Sequence, residues 1–183
     1  MWRAIVVGLL LASLALPASA ADWQVDTAHS RLGFVGTQQG GTFTGQFHRW
    51  QAQLRFDPQD LPHSRFEVTV EIDSIDTGSR ERDQYLPDEA WFAARQFPTA
   101  TFRSTSFSAR GGNNYVAQGE LTLRGVTRPI SLPFSWESRG GQAKLHAETT
   151  LNRTDFGVGQ GEFASSDVVG RQVRVVADLV LHQ

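Results

Sequence analysis

Strict alternation of apolar and polar residues is the feature that most constrains what this chain can fold into. Its clearest example is the stretch FEVTVEID at residues 66–73, in which every second residue is apolar. Successive side chains of a β-strand point to opposite faces, so such a strand has one buried and one solvated face. Residues 52–56, 130–136 and 143–151 alternate in the same way. The pattern predicts an all-β fold dominated by antiparallel strands.

Turn signals separate these runs at residues 40–41, 57–58, 111–114 and 140–141, where glycine, asparagine or Asp-Pro interrupts the alternation. Their spacing suits hairpins joining about eight strands. The chain has no repeat of fixed period and no shift in composition that would mark a domain boundary. We therefore expect one closed or nearly closed antiparallel barrel over residues 21–183.

One segment lacks alternation, the stretch SRERDQYLPDEAWFAARQF at residues 79–97. It is rich in residues compatible with a helix, and Pro87 is positioned to start a second short helix. Its apolar face consists of Trp91, Phe92 and Phe97. We expect a short helical insertion that covers one end of the barrel and turns these aromatic side chains toward the interior.

The first twenty residues have the pattern of a cleaved secretory signal peptide. Arg3 precedes an apolar run, residues 4–16, that is shorter than the roughly 20 residues of a membrane-spanning helix. Small residues at Ala18 and Ala20 suit cleavage before Ala21. A single domain over residues 21–183, secreted to the periplasm, is the expectation.

Charge and cysteine content exclude several classes of function. Lys and Arg total 17 against 19 Asp and Glu, a balance that argues against nucleic acid as a partner. The chain has no cysteine, so it forms no disulfide, performs no thiol chemistry and cannot bind zinc through sulfur.

Candidate catalytic and metal-binding residues are scattered. No two of the five histidines have a spacing that would direct both at one metal ion, and the hydrolase and phosphoryl-transfer motifs are missing. Asp73, Asp76 and Asp83 lie close in sequence, and positions at strand ends or helix starts explain them better than acid–base catalysis. We therefore expect no catalytic residue and no metal site.

The stretch NRTDFGVGQGEF at residues 152–163 contains the letters DFG and alternating glycines, which suggest a nucleotide site. A phosphate-binding glycine loop opens a helix, and residues 162–168 do not begin one. The kinase interpretation also fails, because the single lysine, Lys144, occupies none of the required motifs. Glycines that let a strand bend or approach a neighbour closely at the barrel wall fit this stretch better.

Large apolar residues at inward positions leave two alternatives open. A barrel of about eight strands either fills with side chains or keeps room for one small ligand. Periodicity alone does not separate these cases, and a packed core is the commoner outcome. The residues concerned are Phe34, Phe47, Phe56, Val70, Phe102, Leu121 and Phe134.

Four separated stretches, in this order, resemble the YceI-like family of bacterial periplasmic lipid-binding proteins. They are WQVDTAHSRLGF, RDQYLPDEAWFAARQFPTATFRSTSF, GELTLRGVTRPISLPF and NRTDFGVGQG. The resemblance covers nearly all of residues 21–183. It implies a lipocalin-like barrel, partly covered by helices, with an apolar channel for polyprenyl chains or isoprenoid quinones and with no established catalytic activity.

The resemblance also marks polar residues as ligand contacts or structural elements. His29 and Ser30 match the family's D-x-x-H-S element, Arg82 and Asp83 its Arg-Asp element, and Asn152 with Arg153 its N-R-x-x-F-G element. Many relatives continue R-D-x-H-L, whereas Gln84-Tyr85-Leu86 follows here, so a polar contact by that histidine is in doubt. Two roles are open for Arg153: it could pair with a buried acidic group, or it could face a lipid headgroup.

The resemblance reverses the expectation for the interior. The inward residues given above would line a channel around a prenyl tail, with Trp91 and Phe92 near one end. No cofactor is implied beyond a bound quinone or polyprenyl lipid. The LPDEAWFAARQFP version is similar to a branch found beside membrane b-type cytochromes, so an accessory role to such a cytochrome stays an alternative.

Three further points stay open at this stage. One is an enzyme that modifies the bound lipid with His29 or Asp83 as acid or base. The others are a homodimer and peripheral association with the membrane.

Overall fold

A computed structural model of the protein describes residues 21–183. The predicted signal peptide therefore lies outside the described residues. The strands are β1 (Asp22–Val25), β2 (Arg31–Gln38), β3 (Gly41–Phe47), β4 (Trp50–Arg55), β5 (Arg65–Glu71), β6 (Ile75–Asp76), β7 (Thr99–Gly111), β8 (Asn114–Leu123), β9 (Val126–Arg139), β10 (Gln142–Asn152) and β11 (Gln172–His182). The helix α1 spans Arg80–Tyr85, and short 3₁₀ turns occupy Leu61–His63, Ile72–Ser74, Arg153–Phe156 and Gly161–Ala164.

Eight strands form a closed antiparallel ring, in the order β1, β4, β5, β7, β8, β9, β10 and β11. Strand β1 completes it, because Trp23 pairs with Leu54 of β4 and Val25 pairs with Leu181 of β11. The hairpin of β2 and β3 extends the wall beyond β1, where β2 pairs with β11 and β3 pairs with β6. The predicted all-β barrel of about eight strands with a short helical insertion is confirmed.

Alternation along the strands places the core as the sequence predicts. On β10, Ala143, Leu145 and Ala147 are buried, and the residues between them are exposed. On β8, the same alternation is broken by a run of three buried residues, Tyr115–Ala117. Inward side chains of neighbouring strands therefore meet inside the ring and exclude water from it.

The end of the barrel around β1 is filled by an aromatic cluster of seven side chains. Its members are Trp23, Phe56, Phe66, Phe107, Tyr115, Phe134 and Trp136. Ring centroids of Phe56 and Trp136 lie 4.9 Å apart, and those of Trp23 and Trp136 lie 5.0 Å apart in an edge-on arrangement. Such aromatic pairs each contribute about 0.5–1.5 kcal/mol beyond burial of their area. The aromatic cluster closes this end of the barrel.

A close contact between β7 and β8 requires glycine at position 119. A Cβ atom there would lie 2.5 Å from the carbonyl oxygen of Arg103 and 2.6 Å from the ring of Phe102. We expect Gly119→Ala to lower the free energy of unfolding by about 1–3 kcal/mol, because backbone and ring must both shift. Chemical denaturation measures the change. The control is Gly41→Ala, whose Cβ would meet no atom closer than 3.6 Å; equal stability of the two variants would contradict the argument.

The insertion is partly helical. Ser79 caps α1 by accepting a hydrogen bond from the backbone N–H of Arg82. The second helix predicted to start at Pro87 is wrong, because the chain folds into successive turns. Ala93 has a left-handed φ of 48°, and the N–H of Ala94 donates back to the carbonyl of Pro87 at 2.9 Å. This path brings the apolar residues of the segment over the barrel.

Candidate functional site: an apolar cavity beneath a two-segment cap

An internal cavity of about 240 Å³ occupies the barrel between the aromatic cluster and the inserted segment. Small inward residues leave this space open, notably the alanines at 52, 100, 147 and 177. Ala147 and Ala177 face each other directly across β10 and β11. The walls are predominantly apolar, and in the described part of the chain the polar side chains among the lining residues are those of Thr37, Thr101, Thr149 and Arg153.

Seven of the nine apolar residues predicted to line a channel do line this cavity. They are Phe34, Phe47, Val70, Trp91, Phe92, Phe102 and Leu121. Phe56 and Phe134 do not, because both belong to the aromatic cluster and are buried to 1% and 4% exposure. The interior thus combines both alternatives, since one half is packed with side chains and the other half is open.

Several lining residues were missed by the sequence interpretation. They include Leu32, Phe43, Trp50, Val68, Ile72, Ile130, Leu132, Val173 and Val175. Most share the inward parity of a residue already chosen on the same strand, as Val68 does with Val70. Consistent use of that parity would have found them. Phe156 and Val158 lie in a loop, where no periodic pattern points inward.

Two segments cover the open end of the cavity, and together they are called the cap below. One is residues 80–97 and the other is the loop 153–171. The N–H of Gln160 donates to the carbonyl of Ala90 at 2.7 Å, and the rings of Trp91 and Phe163 lie 5.0 Å apart. Contacts of this kind hold the two segments together over the cavity.

Arg153 lies at the centre of the cap and is 5% exposed. Its guanidinium donates only to main-chain carbonyl oxygens of the loop. The acceptors are Gly170 (2.9 Å), Val158 (2.8 Å), Gly159 (3.3 Å), Phe163 (2.6 Å), Ser165 (3.3 Å) and Val169 (2.9 Å). All five N–H groups therefore have acceptors, and the Cζ atom also lies 5.4 Å from the centre of the Trp91 ring.

This arrangement differs from both roles suggested for Arg153 by the sequence. Its partners are carbonyl oxygens, neither an acidic group nor a free face for a headgroup. Burial lowers the pKa of Arg153, and the positive charge of Arg171 lowers it further. Arginine stays protonated in proteins, so the loop surrounds a buried cation with the negative ends of carbonyl dipoles.

The glycine-rich stretch allows the loop to pack closely around the Arg153 guanidinium. A Cβ atom at position 159 would lie 2.1 Å from Nη1 of Arg153, and Gly159 has a left-handed φ of 78°. The glycines therefore let the loop wrap closely around the guanidinium. The interpretation of this stretch as a bend in the barrel wall is corrected: it follows β10 and forms part of the cap.

Arg82 and Asp83 link the insertion to the barrel rim. Nη1 of Arg82 donates to the Gln38 side chain at 3.0 Å, and its Cζ atom lies 4.4 Å from the centre of the Phe43 ring, which lines the cavity. The Asp83 carboxylate accepts hydrogen bonds from the backbone N–H and hydroxyl of Thr77, at 2.9 and 2.7 Å. Both residues hold the inserted segment in place and lie outside the cavity lining.

His29 and Asn152 also lie away from the cavity. The His29 side chain is 74% exposed, and its Nδ1 lies 2.8 Å from the Asp26 carboxylate. This hydrogen bond from His29 lowers the pKa of Asp26. Asn152 is exposed and donates to Asp155 at 3.1 Å. The neighbouring Ser30 has a structural contact, since its hydroxyl accepts from the N–H of Val180 at 2.9 Å.

Carboxylates outside the cavity have ordinary surface partners. Asp73 accepts a hydrogen bond from Arg49 at 2.7 Å. Asp76 lies 3.1 Å from Nε2 of His48, and this contact lowers the pKa of Asp76. Over residues 21–183, no three His, Cys, Asp or Glu side chains come together in a way that could hold a metal ion. The same part of the chain contains no helix of the length and apolarity needed to cross a membrane.

Several known proteins are similar in sequence to this chain. It is 30% identical to a UPF0312 protein of Shewanella denitrificans, over 86% of this chain and 88% of that protein. It is 32% identical to a UPF0312 protein of Vibrio cholerae, over 80% of this chain and 82% of that protein.

Solved structures share the fold. BcnA of Burkholderia cenocepacia superposes with a TM-score of 0.83 at 28% identity, covering 86% of this chain and 99% of BcnA. A protein described as a polyisoprenoid binding domain from Saccharophagus degradans gives 0.67 at 16% identity, covering 87% of this chain and 97% of that domain. The sequence model of the YceI-like domain matches residues 23–181. The chain therefore belongs to the YceI-like family.

Proposed function

We propose that this protein binds an isoprenoid lipid, a polyprenyl chain or an isoprenoid quinone, with the tail inside the apolar cavity. The observation that carries the proposal is the cavity itself, closed at one end by the aromatic cluster and covered at the other by the cap. Burying hydrocarbon from water contributes about 0.8 kcal/mol per CH₂ group. A few isoprene units inside such a cavity would therefore give tight binding from solution.

Two comparisons support this choice of ligand. The chain belongs to the YceI-like family, and the Saccharophagus degradans structure with the same fold is described as a polyisoprenoid binding domain. The predominantly apolar lining also suits a flexible hydrocarbon better than a polar metabolite, most of whose polar groups would lack partners there.

The role we propose is periplasmic carriage or storage of the lipid. It rests on the signal-peptide pattern of residues 1–20 and on a chain without cysteine, which needs no disulfide to fold after export. Extraction of a lipid from a membrane moves its tail between two apolar phases, so the net gain there is small. Selectivity must then come from the shape of the cavity and from polar groups at the head.

A binding role is favoured over chemistry on the lipid. His29 and Asp83, the acid and base that an enzyme would require on the sequence interpretation, lie outside the cavity lining. An accessory role to a membrane b-type cytochrome, with the interior of the barrel filled by side chains, is disfavoured by the open cavity. A quinone carrier that exchanges ligand with such a cytochrome fits the proposal equally well.

Protein purified from its native host without detergent should carry an isoprenoid lipid in native mass spectrometry. Delipidated protein should bind prenols with an affinity that rises at least about tenfold for each isoprene unit until the cavity is full. Calorimetry or displacement of a fluorescent prenyl probe measures the series. Ligand-free native protein that takes up no prenol or prenyl quinone would refute the proposal.

Release of a mature chain starting at Ala21 by osmotic shock would support the periplasmic location.

A further inference from the structure

The wall of the barrel has a seam between β3 and β4. These strands follow each other in sequence, yet β3 pairs with β2 and β6, whereas β4 pairs with β1 and β5. The pairing of β1 with β4 covers only Asp22↔Arg55 and Trp23↔Leu54. In residues 21–183 no strand pairs with the β1-facing side of β4 over its first residues. The cavity wall is therefore not sealed by a continuous hydrogen-bond ladder at this place.

A second pocket of about 200 Å³ lies at the seam, and it is called the seam pocket below. It shares Leu32, Phe47 and Trp50 with the lining of the apolar cavity. Its other lining residues are all polar: Thr27, Ser30, Arg31, Gln46 and His48. A polar pocket thus lies directly beside the apolar cavity, separated from it by three side chains.

Hydrogen-bond donors in the seam pocket are available. Among residues 21–183, the side chains of Thr27 and Arg31 make no hydrogen bond or ion pair. A carboxylate only accepts, so Nε2 of His48 must donate to Asp76 at 3.1 Å. That nitrogen then cannot accept from the Gln46 amide, which lies 3.5 Å away. The guanidinium, the amide and the Thr27 hydroxyl can all donate to a ligand.

The cavity, in contrast, offers a headgroup no free charged donor, and its polar lining beyond Arg153 consists of the threonines at 37, 101 and 149. Within residues 21–183 its only charged lining residue is Arg153, whose five N–H groups already donate to loop carbonyls. A phosphate or quinone head confined to the cavity would be buried with at most a threonine hydroxyl as partner, and burial of a polar group without sufficient hydrogen bonds costs several kcal/mol. The head of a bound amphiphile therefore needs a polar site next to the cavity, and the seam pocket is one.

We propose that the seam pocket binds the headgroup of the lipid whose tail occupies the cavity, through the hydrogen-bond-accepting oxygens of a phosphate or a quinone. This inference rests on the proposed function and adds an orientation to it. The head lies at the seam beside Arg31 and Gln46, and the tail extends past Leu32, Phe47 and Trp50 toward the cap. Ligand exchange then takes place through the side of the barrel.

Three isoprenoids with the same geranylgeranyl tail test the inference: the phosphate, a quinone and a hydrocarbon without a head. The double variant Arg31→Gln, Gln46→Leu should bind at least one of the two headed ligands about tenfold more weakly, because it loses a charged and a neutral donor. Its affinity for the hydrocarbon should stay within twofold. Arg31→Gln alone, an exposed and conservative change, should give a smaller loss of the same kind. Arg139→Gln, at the exposed last residue of β9 and outside the seam pocket, is the matched control and should leave the affinity for all three ligands unchanged.

Equal losses for all three ligands, or no loss for any, would overturn the headgroup site while leaving the tail-binding function in place. Binding of inorganic phosphate that is lost in Arg31→Gln, with no loss of affinity for either headed isoprenoid, would identify a free-anion site and also overturn it. If the wild-type protein takes up none of the three isoprenoids, the proposed function itself fails, and the inference fails with it.

Discussion

Replacing Ala147 by tryptophan should abolish lipid uptake, with an affinity for prenyl ligands at least about 100-fold below that of the wild type. Ala147 is 2% exposed and lines the cavity, beside Phe134 of the aromatic cluster on the paired strand β9. An indole there would occupy space that the tail needs. Exclusion of about four CH₂ groups from burial costs about 3 kcal/mol, which corresponds to a factor above 100 in the dissociation constant.

The fold should survive this substitution, because the cavity that Ala147 lines gives the added ring room. Ala177→Phe, at the position paired with Ala147, provides a second variant with a smaller ring. The control is Lys144→Trp, exposed on the outer face of β10 between the buried Ala143 and Leu145. Circular dichroism and thermal unfolding establish folding, and probe displacement measures affinity. Wild-type affinity in both cavity variants would mean that the tail binds elsewhere.

The class of fold follows from the sequence because alternation is a local property. One inward residue fixes the face of every other residue on its strand, and for this reason Val70 and Phe102 were assigned to the interior correctly. Depth along the barrel is different, because it depends on how the strands are staggered against one another. Phe134 and Leu132 have the same parity on β9, yet one belongs to the aromatic cluster and the other lines the cavity. Only long-range pairing decides between them.

The polar family motifs point to architecture more than to ligand contacts. Ser30 ties the start of β2 to Val180 of β11, and Arg82 joins the insertion to the β2–β3 hairpin through Gln38. Arg153 holds the loop of the cap. The carbonyl acceptors of that arginine carry no sequence signal, because every residue has one, so a partner search among acidic side chains could not have found them.

The seam pocket escaped the sequence interpretation for a related reason. Its lining comes from the turn before β2 and the start of that strand, and from the end of β3 and the corner between β3 and β4. No local sequence pattern marks Thr27, Arg31 and Gln46 as a binding site. They line a pocket because β3 and β4 do not pair with each other. Such a gap in strand pairing is a property of the closed barrel and not of any one strand.

Replacing Arg153 by alanine should lower the free energy of unfolding of the cap by about 3–5 kcal/mol. The loop carbonyls that it bonds would lose their donor in a buried setting, and each such loss costs about 1–3 kcal/mol before the loop relaxes toward water. The loss should be local, since the strands of the barrel keep their own ladders. Amide hydrogen exchange over residues 157–170 should therefore rise far more than exchange in β8 or β9.

Arg153→Lys separates charge from geometry. An ammonium group keeps the positive charge but has three donors in place of five and no planar fork, so it should recover only a minor part of the stability. Arg171→Ala is the matched control. Arg171 is exposed, and its charge lowers the pKa of Arg153, so its removal should leave stability within about 0.5 kcal/mol of the wild type or raise it slightly.

Full recovery by lysine would show that charge alone holds the cap. Unchanged exchange over residues 157–170 in Arg153→Ala would show that the loop does not depend on this arginine. A cap loosened by Arg153→Ala should also release a bound prenyl lipid faster than the wild type does, because the cavity then opens at that end as well.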